Sequence, residues 1–183
     1  MGKDTSESGQ VGNAFTSRQL EFEFQRSERA TGGTDFISIP PVQSVHFRSE
    51  SCEWATPVDF FNSLNEEFGF ELDVCATPQN AKCASYYTKD EDGLLQPWEG
   101  VCWCNPPYGR EIRHWVEKAM RTAEEGKGTV VCLVPARTDT KWWHDFVAKA
   151  SEVRFVKGRL KFGGHANSAP FPSAVVVFRA HSR

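Results

Sequence analysis

The residues best placed to do chemistry are Asn105-Pro106-Pro107-Tyr108, which end the apolar run Val101-Cys-Trp-Cys104. Proline has no N–H and a fixed φ, so two in succession stop a sheet ladder and impose a stiff, extended turn. Gly109 then releases the chain into a helical pattern expected to begin near Arg110. An amide, two prolines and an aromatic ring at the carboxyl end of a strand form a rigid rim with one hydrogen-bonding arm and one flat face. Turn-forming residues alone also explain four such positions. The surrounding elements must decide what the rim is for.

Those elements alternate between two periods. Thr56 is an expected N-cap with Pro57 at the first helical position, and Phe60, Phe61, Leu64 and Phe68 form a helical apolar face that Gly69 ends. Residues 70–76 are expected as a strand, residues 77–80 as a loop and residues 86–88 as a second short strand. A charged turn follows over residues 89–93, with Trp98 as the anchor of an irregular stretch. Ile112, Trp115, Val116, Ala119 and Met120 make a second helical stripe. The unbroken apolar run 129–134 marks a strand buried on both faces. A helix around Trp142, Trp143 and Phe146 and strands at 153–156 and 173–178 complete the pattern. Strands alternating with helices predict an open α/β sheet, in which ligands bind beyond the carboxyl ends of the strands. Residues 73–76, 105–108 and 135–137 all fall at that edge.

The 183 residues fit one domain plus a tail. Residues 1–50, rich in Ser, Gly, Thr, Gln and Glu, are expected to be a flexible tail and 51–183 the domain. Apolar alternation at 20–24 and 36–39 is too isolated to build a core. There is no membrane-length apolar run and no charged-then-apolar leader, so a cytoplasmic protein with reduced thiols is expected. The six cysteines contain no pair of CxxC knuckles, and no metal centre is expected. Charge is unevenly spread. Residues 1–104 carry 7 Lys/Arg against 17 Asp/Glu, and residues 105–183 carry 14 against 7. A basic carboxyl-terminal portion suits a polyanionic partner.

Several short blocks occur in a telling order: Trp54-x-Thr56-Pro57, Leu72-Asp73-x-x-Ala76, Asp92-Gly-Leu94, Trp98, Asn105-Pro-Pro-Tyr-Gly109, Leu133-x-Pro135, Gly158-Arg-Leu-x-Phe162 and Ala169-Pro170. In that order they resemble the phage DNA N-6-adenine methyltransferases (Dam family) over residues 54–178. The resemblance implies a compact Rossmann-like methyltransferase fold, a mostly parallel open sheet with helices on both faces. It also implies S-adenosylmethionine as methyl donor and a flipped adenine of DNA as acceptor. Asn105, Pro106, Pro107 and Tyr108 are then the catalytic turn. The Asn105 side-chain oxygen and the Pro106 carbonyl accept the two N–H bonds of the adenine amine, and Tyr108 supplies a stacking face.

The same resemblance assigns Trp54, Thr56, Pro57, Asp73, Ala76, Asp92 and Asn105 to the cofactor. Broader amino-methyltransferases place a glycine-rich turn where residues 73–80 here have no glycine. The 32-residue interval from Asp73 to Asn105 is short for two further strand–helix units, so a trimmed sheet is expected. Arg110, Arg113, Arg137, Lys141, Lys157, Arg159 and Lys161 are expected along the DNA. With five residues after Phe178, no separate recognition domain is visible, and a monomer with a short or relaxed target sequence is expected. Other acceptors stay open, namely RNA adenine or a protein glutamine amide. So does a non-catalytic DNA-binding module, although such a module has no need of Asn105.

Overall fold

The computed structural model describes residues 54–163 and 167–180; the tail with its alternations at 20–24 and 36–39 lies outside them. Helix α1 (Val58–Phe68) buries Phe60, Phe61 and Leu64. Gly69 ends it at φ 66°, a left-handed conformation that glycine adopts without steric cost. The start differs from expectation. Pro57 holds the N-cap position with no side-chain cap, and Thr56 is buried instead of capping.

Six strands form one sheet: β1 (Leu72–Asp73), β2 (Ser85–Tyr86), β3 (Gly100–Cys104), β4 (Gly128–Pro135), β5 (Glu152–Phe155) and β6 (Ser173–Phe178). The spatial order is β2-β1-β3-β4-β6-β5. The first four neighbours pair in parallel, and β6 runs antiparallel between β4 and β5. Helix α2 (Ile112–Glu124) follows β3, and the short helix α3 (Lys141–Asp145) with one 3-10 turn (Val147–Lys149) follows β4.

The sheet is buried on both sides. Cys102, Cys104, Val130, Cys132 and Val134 pack with Trp115, Val116 and Trp143 of α2 and α3. Trp103, Val131 and Leu133 pack with Phe60, Phe61 and Leu64 of α1 on the opposite face. Helices therefore cover both faces, and the unbroken apolar run of β4 follows from that. Among the described residues, no helix is long and apolar enough to cross a membrane.

Strand β1 is shorter than the expected 70–76. After Asp73 the backbone turns away, with the N–H of Cys75 on the Asp73 carboxylate and that of Ala76 on the Tyr87 carbonyl. Strand β2 sits at 85–86 instead of 86–88, and the 74–99 interval contains no helix. The sheet is trimmed there, as the spacing implied.

Candidate active site

Strands β1 and β3 are neighbours, yet β2 lies beyond β1 on one side and β4 beyond β3 on the other. The chain thus reverses its direction of travel across the sheet at the β1–β3 boundary. In an open α/β sheet such a reversal leaves a crevice at the carboxyl ends of the two strands. A cavity of about 600 Å³ opens there. Trp54, Thr56, Asp73, Ala76, Asp92 and Asn105 all line it, together with Pro107. Pro57 does not line it and instead starts α1.

The glycine-free loop after β1 is folded by side-chain acceptors. Asp73 is buried, and its two carboxylate oxygens accept the N–H groups of Cys75 (3.3 Å) and Lys82 (3.0 Å). Asn80 Oδ1 accepts the Thr77 N–H at 2.7 Å. Burial pushes the Asp73 carboxyl up to about 6, against the lowering effect of those two N–H groups. Close approach is provided across the crevice by Gly93. A Cβ there would stand 2.1 Å from the Val74 carbonyl oxygen.

The turn carrying Gly93 is held from below. Trp98 Nε1 donates to the Gly93 carbonyl at 2.8 Å. Lys118 Nζ, from α2, donates to the carbonyls of Gly93 (3.1 Å), Leu94 (2.7 Å) and Gln96 (2.5 Å) and lies 4.9 Å from the Trp98 ring centroid. Asp92, exposed and at φ 51°, accepts the Leu94 N–H at 3.1 Å. Its carboxylate caps its own turn while bordering the cavity. Lys118 and Asn80 were not expected as part of the site. Nothing local marks Lys118, whose partners lie 22 to 25 residues earlier.

Asn105 is clamped at both ends of its amide. Nδ2 donates to the Trp54 carbonyl at 2.5 Å, and Oδ1 accepts the Tyr108 hydroxyl at 2.9 Å. The same phenol lies 3.2 Å from the Leu133 carbonyl. This network fixes which amide atom faces which way. Burial holds the Tyr108 phenol well above its ordinary pKa, so it stays a donor. A carbonyl oxygen has two lone pairs, and Asn105 Oδ1 keeps one for a ligand. Pro106 is buried, and among the described residues its carbonyl accepts no hydrogen bond from the protein. Trp54 and Tyr108 both pack edge-on against Phe162 and Phe171, with ring centroids 5.2–6.1 Å apart.

One polar atom in the wall is orphaned. Thr56 is 4 % exposed, and among the described residues its hydroxyl has no hydrogen-bond partner. Leaving a hydroxyl buried and unpaired costs about 1–3 kcal/mol, which a ligand acceptor in the cavity would recover.

The basic residues divide into two groups. Arg110, Arg113, Arg137 and Lys141 line a second cavity of about 710 Å³, which borders the 105–108 turn at Tyr108. Lys157, Arg159 and Lys161 are exposed on the segment between β5 and β6 and line neither cavity.

Comparison with known proteins agrees with this geometry. The family model described as DNA N-6-adenine-methyltransferase (Dam) matches residues 43–180. The DNA N-6-adenine-methyltransferase of Haemophilus phage HP1 (strain HP1c1) is 32% identical over 140 residues, covering 72% of this chain and 80% of the relative. The Escherichia coli (strain K12) protein named "Putative methyltransferase YfdM" is 39% identical over 64 residues, covering 31% of this chain and 70% of the relative. A family match spanning the whole sheet and every residue of both cavities settles the assignment: the chain belongs to the DNA N-6-adenine-methyltransferase (Dam) family.

Proposed function

We propose that this DNA adenine methyltransferase binds S-adenosylmethionine in the crevice between β1 and β3 and presents a flipped adenine to Asn105 and Pro106. The observation that carries this reading is the clamped Asn105 amide, opening onto a cavity with an orphaned hydroxyl and three carboxylates (Asp73, Asp92 and Glu111) in its wall. The Rossmann-like character of the fold is supported by the parallel strands on either side of the β1–β3 reversal. Thr56 with Trp54 would hold the methionine end, Asp73 and Ala76 the middle, and Asp92 the adenosine end. When bound, the cofactor supplies an electrophilic methyl group.

An adenine amine is a poor nucleophile because its lone pair is delocalised into the ring. Asn105 Oδ1 and the Pro106 carbonyl each accept one of its N–H bonds, which favours a tetrahedral nitrogen. Both acceptors are preset, one by the Trp54–Tyr108 clamp and one by proline's stiffness. They therefore stabilise the transition state without reorganising. Tyr108 serves twice, its hydroxyl aiming Asn105 and its half-buried ring offering a face to the base. The exposed cations flanking the turn would bind phosphates.

Thr56 tests the cofactor site. Thr56→Val keeps shape and removes the orphaned hydroxyl, so the free protein should melt no lower than the parent. Affinity for S-adenosylmethionine, measured by calorimetry, should fall about tenfold or more, the weight of one hydrogen bond to a charged group. Unchanged affinity with a lowered melting temperature would make Thr56 a purely structural residue.

Asp73 gives the cofactor site a pH signature. Its folded pKa of about 6 lies above the usual 3.8 because ionisation inside the fold is disfavoured. The free protein therefore loses stability from this group as pH rises from about 4 to about 6. A cationic sulfonium and ammonium nearby favour the ionised carboxylate, so affinity should rise with pH through about 6 and level off above it. Calorimetry at pH 6 in buffers of differing ionisation enthalpy should show proton release on binding. Proton uptake, or affinity flat between pH 5 and pH 7, would remove Asp73 from the cation's surroundings.

A further inference from the structure

The second cavity is larger than phosphate contacts alone require. It runs from Tyr108 across the start of α2 to α3 and shares no lining residue with the cofactor crevice. Its walls combine three kinds of chemistry. Arg110, Arg113 and Arg137 are exposed, and among the described residues none is paired with a carboxylate. Trp142 is half-buried, edge-on to Trp143 at 5.6 Å, and contributes to the lining. Asp145, 2.8 Å from Lys141, and Glu117, 2.6 Å from Arg121, add carboxylate oxygens with lone pairs to spare.

Unpaired guanidinium groups suit phosphate, an aromatic wall suits the face of a base, and carboxylates suit exocyclic amino groups. No single component demands a nucleotide, but one half-open cavity offering all three matches a nucleotide's parts. The acceptor adenine, stacked on Tyr108, accounts for only one end of it. Asn105 and Pro107 open towards the cofactor crevice, so the methylated base lies over the turn. The volume of about 710 Å³ extends away from there towards Trp142.

We infer that this cavity takes a second nucleotide of the DNA, one flanking the acceptor adenine, with its base against Trp142 and its phosphate on Arg110 and Arg137. The inference rests on the proposed placing of the acceptor at Asn105. A base seated there must leave the duplex stack, and its fit against Trp142, Glu117 and Asp145 is where the enzyme selects the sequence context of the adenine. The target would then be read in part through a pocket built into the methyltransferase fold.

The test uses the full chain and a duplex oligonucleotide carrying one adenine that the enzyme methylates. An abasic nucleotide is stepped through the positions on either side, and DNA affinity and methylation rate are measured for wild type, Trp142→Ala and Trp142→Phe. Wild type should lose about tenfold in affinity at one flanking position, the weight of one stacked base. Trp142→Ala should show that loss on intact DNA and no further loss at that position, and Trp142→Phe should restore most of the wild-type response. Cofactor affinity should stay unchanged in both variants. Equal losses at every position, or full additivity between the abasic step and Trp142→Ala, would overturn the inference. Methylation of the intact oligonucleotide is read in the same assay. Failure to find any duplex that wild type methylates would count against the proposed function itself, whereas a position-independent scan with active enzyme counts against the pocket alone.

Discussion

Replacing Asn105 by alanine should lower methyl transfer by about 10²–10³-fold, the usual effect of removing one preset hydrogen-bonding group from a transition state. Cofactor affinity should change far less, because Asn105 is one of many residues lining that cavity. Single-turnover rates with saturating cofactor, alongside calorimetric affinity, separate the two effects. Asn105→Asp is the sharper variant. A carboxylate retains the acceptor facing Tyr108 but sets a second oxygen against the Trp54 carbonyl, where Nδ2 now donates. Repulsion there should rotate the side chain out of the clamp and cost activity even though the shape is conserved. Tyr108→Phe, which removes only the hydroxyl at 2.9 Å from Oδ1, should show a fall in kcat larger than any change in KM for DNA. Full activity in both Asn105→Asp and Tyr108→Phe would show that the clamp has no part in the chemistry.

The largest effect on stability is expected at Arg154. This guanidinium is 2 % exposed and bridges elements that lie far apart in sequence. Nη1 and Nη2 reach Glu67 of α1 at 2.5 and 2.6 Å, and Nε and Nη2 reach Glu152 of β5 at 2.7 and 3.0 Å. Its Cζ also lies 5.2 Å from the Phe68 ring centroid. Arg154→Met keeps the length and removes the charge, which leaves two carboxylates facing each other. Breaking a buried pair typically costs about 3–5 kcal/mol. The Glu67 side chain is 41% exposed, so solvent screening reduces the expected loss to about 2–3 kcal/mol. Arg154 holds both glutamates below the usual carboxylate range. Their contribution is therefore present above the ordinary glutamate pKa and is lost as pH falls through the depressed values. The gap between wild type and Arg154→Met, measured by urea unfolding, should be widest at neutral pH and close on acidification. A gap independent of pH would assign the role to packing.

What could be read from residues alone follows a physical division. The 105–108 turn, the doubly buried β4 and the stripes of α1 and α2 are governed by local periodicity and by proline. They were placed correctly to within a few residues. Strand β1 is shorter than its apolar run because the Asp73 carboxylate takes the backbone N–H of Cys75, which a continued ladder would need. Thr56 was read as a cap because Thr-Pro before an apolar face carries that signal, while its burial depends on the cavity forming. The antiparallel placement of β6 between β4 and β5 left no mark in composition. Lys118 was invisible for the same reason: three carbonyls more than 20 residues away become its partners only once α2 packs beneath the 92–97 turn. Many of the residues that line the two cavities were legible by type and spacing. The long-range contacts that aim them were not.

The most direct measurement is a product analysis. The full chain is incubated with S-adenosylmethionine labelled in the methyl group and, in parallel, with unmethylated duplex DNA, RNA and protein, and each polymer is hydrolysed to its monomers. Label should appear in N6-methyl-2′-deoxyadenosine from DNA, with wild-type enzyme and not with Asn105→Ala. Label in another base, in RNA or in protein, or equal labelling by Asn105→Ala, would contradict the assignment of Asn105 to a flipped DNA adenine.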